Sequence, residues 1–316
     1  MNAPMQELKQ QLAALTAYLP RQHPVVYVDY PVHLNFGDIL IMRGTERFFA
    51  DYGYRVVDRA GCMNFTASAR RSVPADATIV LHGGGNFGDL YPVHQHFREA
   101  VVRQFPEHPI VVLPQTVHFR SEPARRASAA VFRQHRNLLL LVRDQASLAA
   151  VDGLFSSQVL LLPDMAHQLW GGEWDEKGGD NRPDDGATGR LVLWRADIEA
   201  TGRPAPTSDQ PAVDWLDLIP VWQRRVFGLI LRLHRLEALA NARLGARQAW
   251  YGYCERLHRQ MQARFAPYGE VHTNRLHGMI FAALLGKKVI FDDNAYGKLG
   301  HYARQWFAGH PGIRAG

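Results

Sequence analysis

Thr78-Ile79-Val80-Leu81-His82-Gly83-Gly84-Gly85-Asn86-Phe87-Gly88-Asp89 runs from a short apolar stretch, through one histidine, straight into three glycines. A brief apolar run bounded by glycine reads as a strand buried on both faces. Such strands belong to parallel sheets covered by helices on either side. The flanking sequence repeats the pattern. Towards the N-terminus, Val25–Tyr30 and Tyr54–Asp58 read as strands around a helix at Leu40–Tyr52. Towards the C-terminus, helices at His94–Gln104 and Glu122–Gln134 alternate with strands at Ile110–Leu113, which ends at Pro114, and Leu138–Val142. Ser147–Val151 starts a further helix and Val159–Leu162 a further strand. This alternation predicts one doubly wound α/β domain over residues 1–170, opened by an amphipathic helix in Met1–Pro20 that carries Leu8, Leu12, Leu15 and Leu19.

Gly171-Gly172 and the Gly-, Asp- and Pro-rich stretch Gly178–Gly189 mark a linker over residues 171–189. Residues 190–316 read as a second α/β unit. Its strands are Leu191–Arg195, Val271–Thr273 and Lys288–Asp292, with a helix at Asn274–Leu285 and a further strand at Val213–Leu218. At 316 residues the chain exceeds the ~250–300 at which single cores stop growing, so two domains are expected. Between these elements lies Val221–Gln248, whose Trp222, Val226, Leu229, Leu233, Leu236 and Ala240 follow helical spacing. Arg224, Arg225, Arg232, Arg235 and Arg243 occupy its other face. That segment reads either as a packed helix with solvated arginines or as a helix lying on anionic membrane. The first is favoured, because any surface helix shows a ~100°-wide apolar stripe.

Composition narrows the class. The net charge of +6 and the pI of about 9.4 suit nucleic acid, anionic lipid or phosphorylated substrates. With no RNA-binding aromatic signature, zinc knuckle or long Lys/Arg block, no nucleic-acid partner is expected. Cys62 and Cys254 lie far apart and form neither a disulfide framework nor a metal spacing. With no apolar signal core and no run of ~18 apolar residues, a cytoplasmic protein is expected, with the inner face of the cell membrane as a place of peripheral contact. The fifteen histidines are scattered without ligand spacing, so no metal site is expected.

In parallel α/β sheets ligands bind beyond the carboxyl ends of the strands, so the polar residues found there are the candidates. Asn35-Phe36-Gly37-Asp38 follows the first strand; its glycine admits a ligand to the backbone, and Asp38 is placed to cap the next helix. Gly83, Gly84 and Gly85, then Asn86 and Asp89, expose backbone N–H groups that suit a carboxylate or phosphate, without a dinucleotide or P-loop spacing. Gln115 and His118, Arg143-Asp144, Asp164 and His167, and Arg195 with Asp197 end successive strands. Arginines repeated at strand ends point to a shared cleft in which an anion is held in bidentate fashion. Thr273-Asn274-Arg275-Leu276-His277-Gly278 turns a strand into a helix. There the helix N–H groups favour an anion, and His277 supplies a group that titrates near neutral pH.

In order and spacing these motifs resemble the polysaccharide pyruvyl transferase family from about residue 25 to 305. The matching segments are Asn35–Asp38, Gly83–Asp89 with Leu90-Tyr91-Pro92, Leu113-Pro114-Gln115 and Val142–Ser147. They continue with Pro163-Asp164, Arg275–Gly278, and Asp292-Asp293-Asn294 before Tyr296-Gly297-Lys298. The resemblance implies a glycosyltransferase-B-like fold of two Rossmann-like domains facing across a cleft. It implies transfer of an enolpyruvyl unit from phosphoenolpyruvate to sugar hydroxyls of an exopolysaccharide repeat unit, usually closing a pyruvate ketal. Members work at the cytoplasmic membrane, so a lipid-linked saccharide acceptor is expected. No metal or organic cofactor is expected for this chemistry. The arginine-rich segment 221–248 has no place in the family pattern.

On that reading His277, Arg275, Arg143 and Asp38 are the expected catalytic residues. Arg143 and Arg275 hold the anions, His277 contacts phosphate or donates a proton, and Asp38, Asp89 and Asp164 are the candidates for activating sugar hydroxyls. Asn35, Gly37, Gly83, Gly84, Gly85, Asn86 and Arg195 are expected to bind the donor. Asp89, Asp164, His118 and Lys298 are the acceptor-side candidates. Two rival readings keep the same fold: a nucleotide-sugar-dependent glycosyltransferase, and a polysaccharide-assembly protein without chemistry.

Overall fold

The computed structural model describes residues 3–172, 187–195, 203–208, 210–293 and 297–316. Most of the expected linker, together with Asp197, Asn294 and Tyr296, lies outside the described residues.

The first part of the chain contributes α1 (Ala3–Leu12), β1 (Val25–Val28), α2 (Phe36–Asp51), β2 (Val56–Ala60), α3 (Ala67–Arg71), β3 (Thr78–Leu81) and β4 (Gly84–Phe87). It continues with α4 (Pro92–Gln104), β5 (Ile110–Val117), α5 (Glu122–Arg133), β6 (Leu138–Val142), α6 (Gln145–Val151) and β7 (Gln158–Leu161). These seven strands form one parallel sheet in the order β2-β1-β3-β5-β6-β7, with β4 pairing the end of β5. Every residue of β1, β3 and β6 is buried, as expected for strands covered on both faces. The second part contributes β8 (Gly189–Leu193), α7 (Val221–Ala240), α8 (Ala246–Phe265), β9 (Tyr268–Thr273), α9 (Leu276–Leu284), β10 (Lys288–Phe291), α10 (Lys298–Trp306) and β11 (Ile313–Ala315). Its four strands form a second parallel sheet, in the order β11-β10-β9-β8.

One apolar cluster joins the two sheets through α2, α8 and α9. Phe36, at the start of α2, meets Phe281 of α9 edge-on at 5.0 Å between ring centroids and lies 5.1 Å from the Trp215 ring. Packing of α2 under α9 therefore sets the spacing between the strand ends of the two sheets.

Several expectations need correcting. The strand expected to end at Pro114 runs on to Val117; Pro114 falls where the register against β6 shifts, so no ladder bond is lost there. Part of the glycine run, read above as exposed backbone N–H groups, is the strand β4. The N-terminal helix ends at Leu12 and tightens into a 3₁₀ turn, Ala13–Ala17, though all four expected leucines are buried. Val213–Leu218 is not a strand: Val213 makes a single bridge to Leu193. The segment 221–248 is two helices. Asn241 adopts the left-handed conformation that ends α7, and α8 starts at Ala246. The expected stripe of that segment divides: Val226 packs against the core and Leu233 is half-buried, whereas Trp222, Leu229 and Leu236 face outward.

Candidate active site

Asn35, not Asp38, caps α2. Its Oδ1 accepts from the Gly37 N–H at 3.1 Å, and its Nδ2 donates to Asp38 Oδ2 at 2.9 Å. Asp38 thus stands in the first helical turn with its carboxylate fixed. Gly37 does not line the cleft between the two sheets. A Cβ there would sit 2.6 Å from His277 Nδ1, so the missing side chain is the space that the imidazole fills. Gly278 does the same for α9, because a Cβ would lie 2.7 Å from Leu193 Cδ2 and from Thr273 Oγ1.

Arg143 leaves the end of β6 fully buried. Its Nε donates to Thr116 Oγ1 at 2.9 Å and its Nη1 to Asp164 Oδ2. Its Nη2 has no hydrogen-bond partner among the described residues. The same Asp164 oxygen lies 3.3 Å from His277 Nε2, so one buried carboxylate from the first sheet aligns an arginine of that sheet and a histidine of the second. Burial disfavours the Asp164 anion, but the His277 and Arg143 charges outweigh that cost and hold its carboxyl well below the usual carboxylate range. Beneath it, Tyr302 Oη accepts the Asp164 N–H at 2.9 Å and lies 2.9 Å from His167 Nε2. Burial lowers His167 to about 4.

Asn35, Asp38, Arg143 and His277 border a cleft of about 280 Å³ between the two sheets. Arg143, Arg195, Arg275 and Lys298 line it, with His33, His94 and His277; Asp38 is the one carboxylate among the described lining residues. Lys298 Nζ and Arg143 Nη2 converge on the same point, the position a Gly85 side chain would occupy. Arg275 is already paired: its Nε and Nη2 each lie 2.5 Å from an oxygen of Asp214. The backbone N–H of Arg195 is held by Asn274 Oδ1 at 2.7 Å. Asp38 feels burial, which raises its pKa, and the surrounding histidines, which together lower it below its ordinary value.

The sequence-predicted residues divide accordingly. Asn35, Asp38, Gly85, Asn86, Arg143, Arg195, Arg275, His277 and Lys298 line the cleft. Gly83 and Gly84 do not: Gly83 abuts the Pro114 carbonyl, and Gly84, at φ 126°, packs over Ile41. Asp89 is used structurally, accepting the N–H groups of Arg120 and Ser121 at 2.8 and 3.0 Å. Asp164 is too deeply buried to meet an acceptor. His118 borders a smaller adjoining cavity of about 90 Å³, with His301 and Lys298.

Sequence reasoning missed His33, His94, Trp215 and Asp214, and gave Tyr91 only as part of the Leu90-Tyr91-Pro92 segment. His94 opens the helix expected at His94–Gln104. It pairs Asp29 at 2.8 Å, and Arg98 pairs the other Asp29 oxygen at 2.8 Å, both groups being buried. Asp29 follows β1 at φ 62°, an uncommon conformation for a non-glycine residue. Asp29, His94 and Cys62 bring ligand-type atoms within 4.8 Å of one another, but Arg98 already occupies the carboxylate.

Residues 35–294 match the polysaccharide pyruvyl transferase family. The chain is 35% identical over 311 residues to "Putative pyruvyl transferase EpsO" of Bacillus subtilis, covering 98% of this chain and 94% of that one. It is 34% identical over 149 residues to "Pyruvyl transferase 1" of Schizosaccharomyces pombe, covering 45% of this chain and 37% of that one. A crystal structure of a functionally uncharacterized protein from Klebsiella pneumoniae superposes with a TM-score of 0.61 at 20% identity, covering 98% and 97% of the two chains. That likeness shows a shared fold.

Proposed function

The chain belongs to the polysaccharide pyruvyl transferase family, and from that premise we propose that it moves the pyruvate unit of phosphoenolpyruvate onto two hydroxyls of a saccharide, as a ketal. We read the two sheets as Rossmann-like units facing across the cleft in the glycosyltransferase-B manner, with a lipid-carried saccharide entering between them. The observation that carries the donor assignment is the convergence of Arg143 Nη2 and Lys298 Nζ over Gly85. A buried guanidinium donor with no protein partner is costly unless a ligand takes it.

Phosphoenolpyruvate carries a phosphate and a carboxylate on one carbon, so its site needs two anion holes and a proton source. Arg143 and Lys298 take one anion, which moves Lys298 from the acceptor side to the donor side. Arg195 and Arg275 take the other. His277 delivers a proton to the methylene carbon, and a sugar hydroxyl bonds to the resulting oxocarbenium-like centre. Asp38 accepts that hydroxyl's proton. Phosphate leaves with the C–O bonding pair, and the second hydroxyl closes the ketal, releasing its own proton. Each well-placed donor is worth ~2.7–4 kcal/mol to such a transition state.

The test incubates the protein and phosphoenolpyruvate with a panel of aryl glycosides. The expected result is release of inorganic phosphate and a product heavier by one pyruvate less one water. Thermal protection by a nucleotide-sugar but not by phosphoenolpyruvate, with no phosphate released, would reject the donor.

A further inference from the structure

α7 packs Val226, Phe227 and Ile230 against the core yet carries a second apolar row that faces outward. Of its twenty residues only Gln223, Ile230 and His234 are buried. Trp222, Leu229, Leu236 and Leu239 stand 55%, 60%, 54% and 85% exposed. At 3.6 residues per turn, positions seven apart fall on nearly one line. Trp222, Leu229 and Leu236 therefore form one outward row, and Arg225, Arg232 and Leu239 form a second beside it. Leu216 before the helix, Val221 at its first position and Leu244 after it are exposed as well. The single acid of α7, Glu237, is drawn into the turn towards α8, where its Oε1 accepts the N–H groups of Leu244 and Ala246 at 2.6 and 2.9 Å. Arg225, Arg232 and Arg235 have no carboxylate partner among the described residues.

We propose that this face of α7 docks on an anionic lipid bilayer. The apolar row enters the headgroup boundary, and the arginines meet lipid phosphates. Charge decides against a second copy of the chain: a two-fold pairing through this face would place Arg225 and Arg232 against the arginines of the mate. Trp215, six residues before α7, lines the cleft, so docking holds the cleft beside the membrane surface, where a lipid-carried saccharide is presented. That last clause rests on the pyruvyl-transfer reading; the docking itself does not.

The test is co-sedimentation with vesicles of phosphatidylcholine alone and of phosphatidylcholine mixed with phosphatidylglycerol. Wild type is expected to bind only the mixed vesicles. An Arg225→Gln/Arg232→Gln variant should bind about 25-fold more weakly, at roughly fivefold per arginine. A Trp222→Ser/Leu229→Ser variant should also lose binding at unchanged Tm. Both should keep wild-type transfer to a soluble acceptor, since neither touches the cleft. Equal binding to both vesicle types, no binding to either, or variants that bind like wild type would overturn the proposal. So would a solution dimer that Leu229→Ser dissociates. Vesicle binding that persists in a protein inactive towards phosphoenolpyruvate would leave docking standing and reject the transfer reading instead.

Discussion

Gly37→Ala tests whether His277 works at the reacting centre. The added Cβ would lie 2.6 Å from His277 Nδ1 and 2.9 Å from its Cβ and Cγ, where an ordinary contact needs 3.4 Å or more. The imidazole has no room to retreat, because its Nε2 is already 3.3 Å from Asp164 Oδ2 and 3.4 Å from Arg143 Nη1. The clash therefore shifts the ring or the first turn of α2, and with it Asp38. Overpacking of this kind costs ~1–3 kcal/mol of stability. A misplacement of ~1 Å costs about 10²-fold in rate. The assay pairs thermal unfolding with phosphate release from phosphoenolpyruvate and acceptor. Gly228→Ala is the control: it lies mid-α7 with nothing within 4 Å of its added methyl, and should be stabilised by ~0.5–1 kcal/mol with unchanged turnover. If Gly37→Ala loses stability but keeps wild-type kcat, His277 is not at the reacting centre.

Asp164→Asn keeps the shape but leaves the fully buried Arg143 guanidinium without its counter-charge, and should cost ~3–5 kcal/mol in urea unfolding; a loss below ~1 kcal/mol would show that this pair does not brace the site. Arg143→Lys keeps the charge but loses the Thr116 bond and the free Nη2, so kcat/KM should fall about 10²–10³-fold; unchanged kinetics would remove Arg143 from the donor site. Burial holds His82 at about 3, His258 at about 3 and His167 at about 4, each below the ~6.5 of an unfolded histidine. The unfolded chain then binds more protons, so stability should fall as pH drops from ~6.5 towards 4, by ~1.4 kcal/mol per pH unit for each histidine; a urea midpoint that stays flat between pH 7 and pH 5 would contradict this.

The first sheet was legible because its strands are short apolar runs stopped by polar residues or glycine, and a strand buried on both faces leaves little else to write. Arg143 at the end of β6, Asp38 in the first turn of α2, and His277 beside the second sheet follow from the same logic. Other features depend on distances that no spacing encodes. Gly37 reads as a ligand-facing glycine, whereas its purpose is to admit an imidazole 240 residues away in the chain. Asp214 sits in a stretch that reads as a strand, and only the fold brings it to Arg275. α8 is hidden in the sequence because its apolar positions, Trp250, Cys254, Leu257 and Met261, are interleaved with Gly252, Glu255, Arg256, Arg259 and Gln260, and the α7 spacing runs on towards it. The orientation of α7 was misread because helical periodicity says which residues share a face, not which face meets the protein.

The pairing of the cleft arginines bears on what the site selects. Asp164 and Asp214 draw Arg143 and Arg275 into fixed geometry, and each pairing removes most of one positive charge from the cleft. A site built only to attract anions would leave those charges bare. Here attraction is given up for orientation: Nη2 of Arg143 is left over and converges with Lys298 Nζ on the space beside Gly85, while Nη1 lies 3.4 Å from His277 Nε2. An anion held there has its approach direction dictated by a planar fork with no freedom to turn. The two carboxylates thereby favour a ligand whose anionic groups are rigidly placed relative to its reacting carbon, as the conjugated carboxylate and enol phosphate of phosphoenolpyruvate are, over a flexible polyphosphate of equal charge.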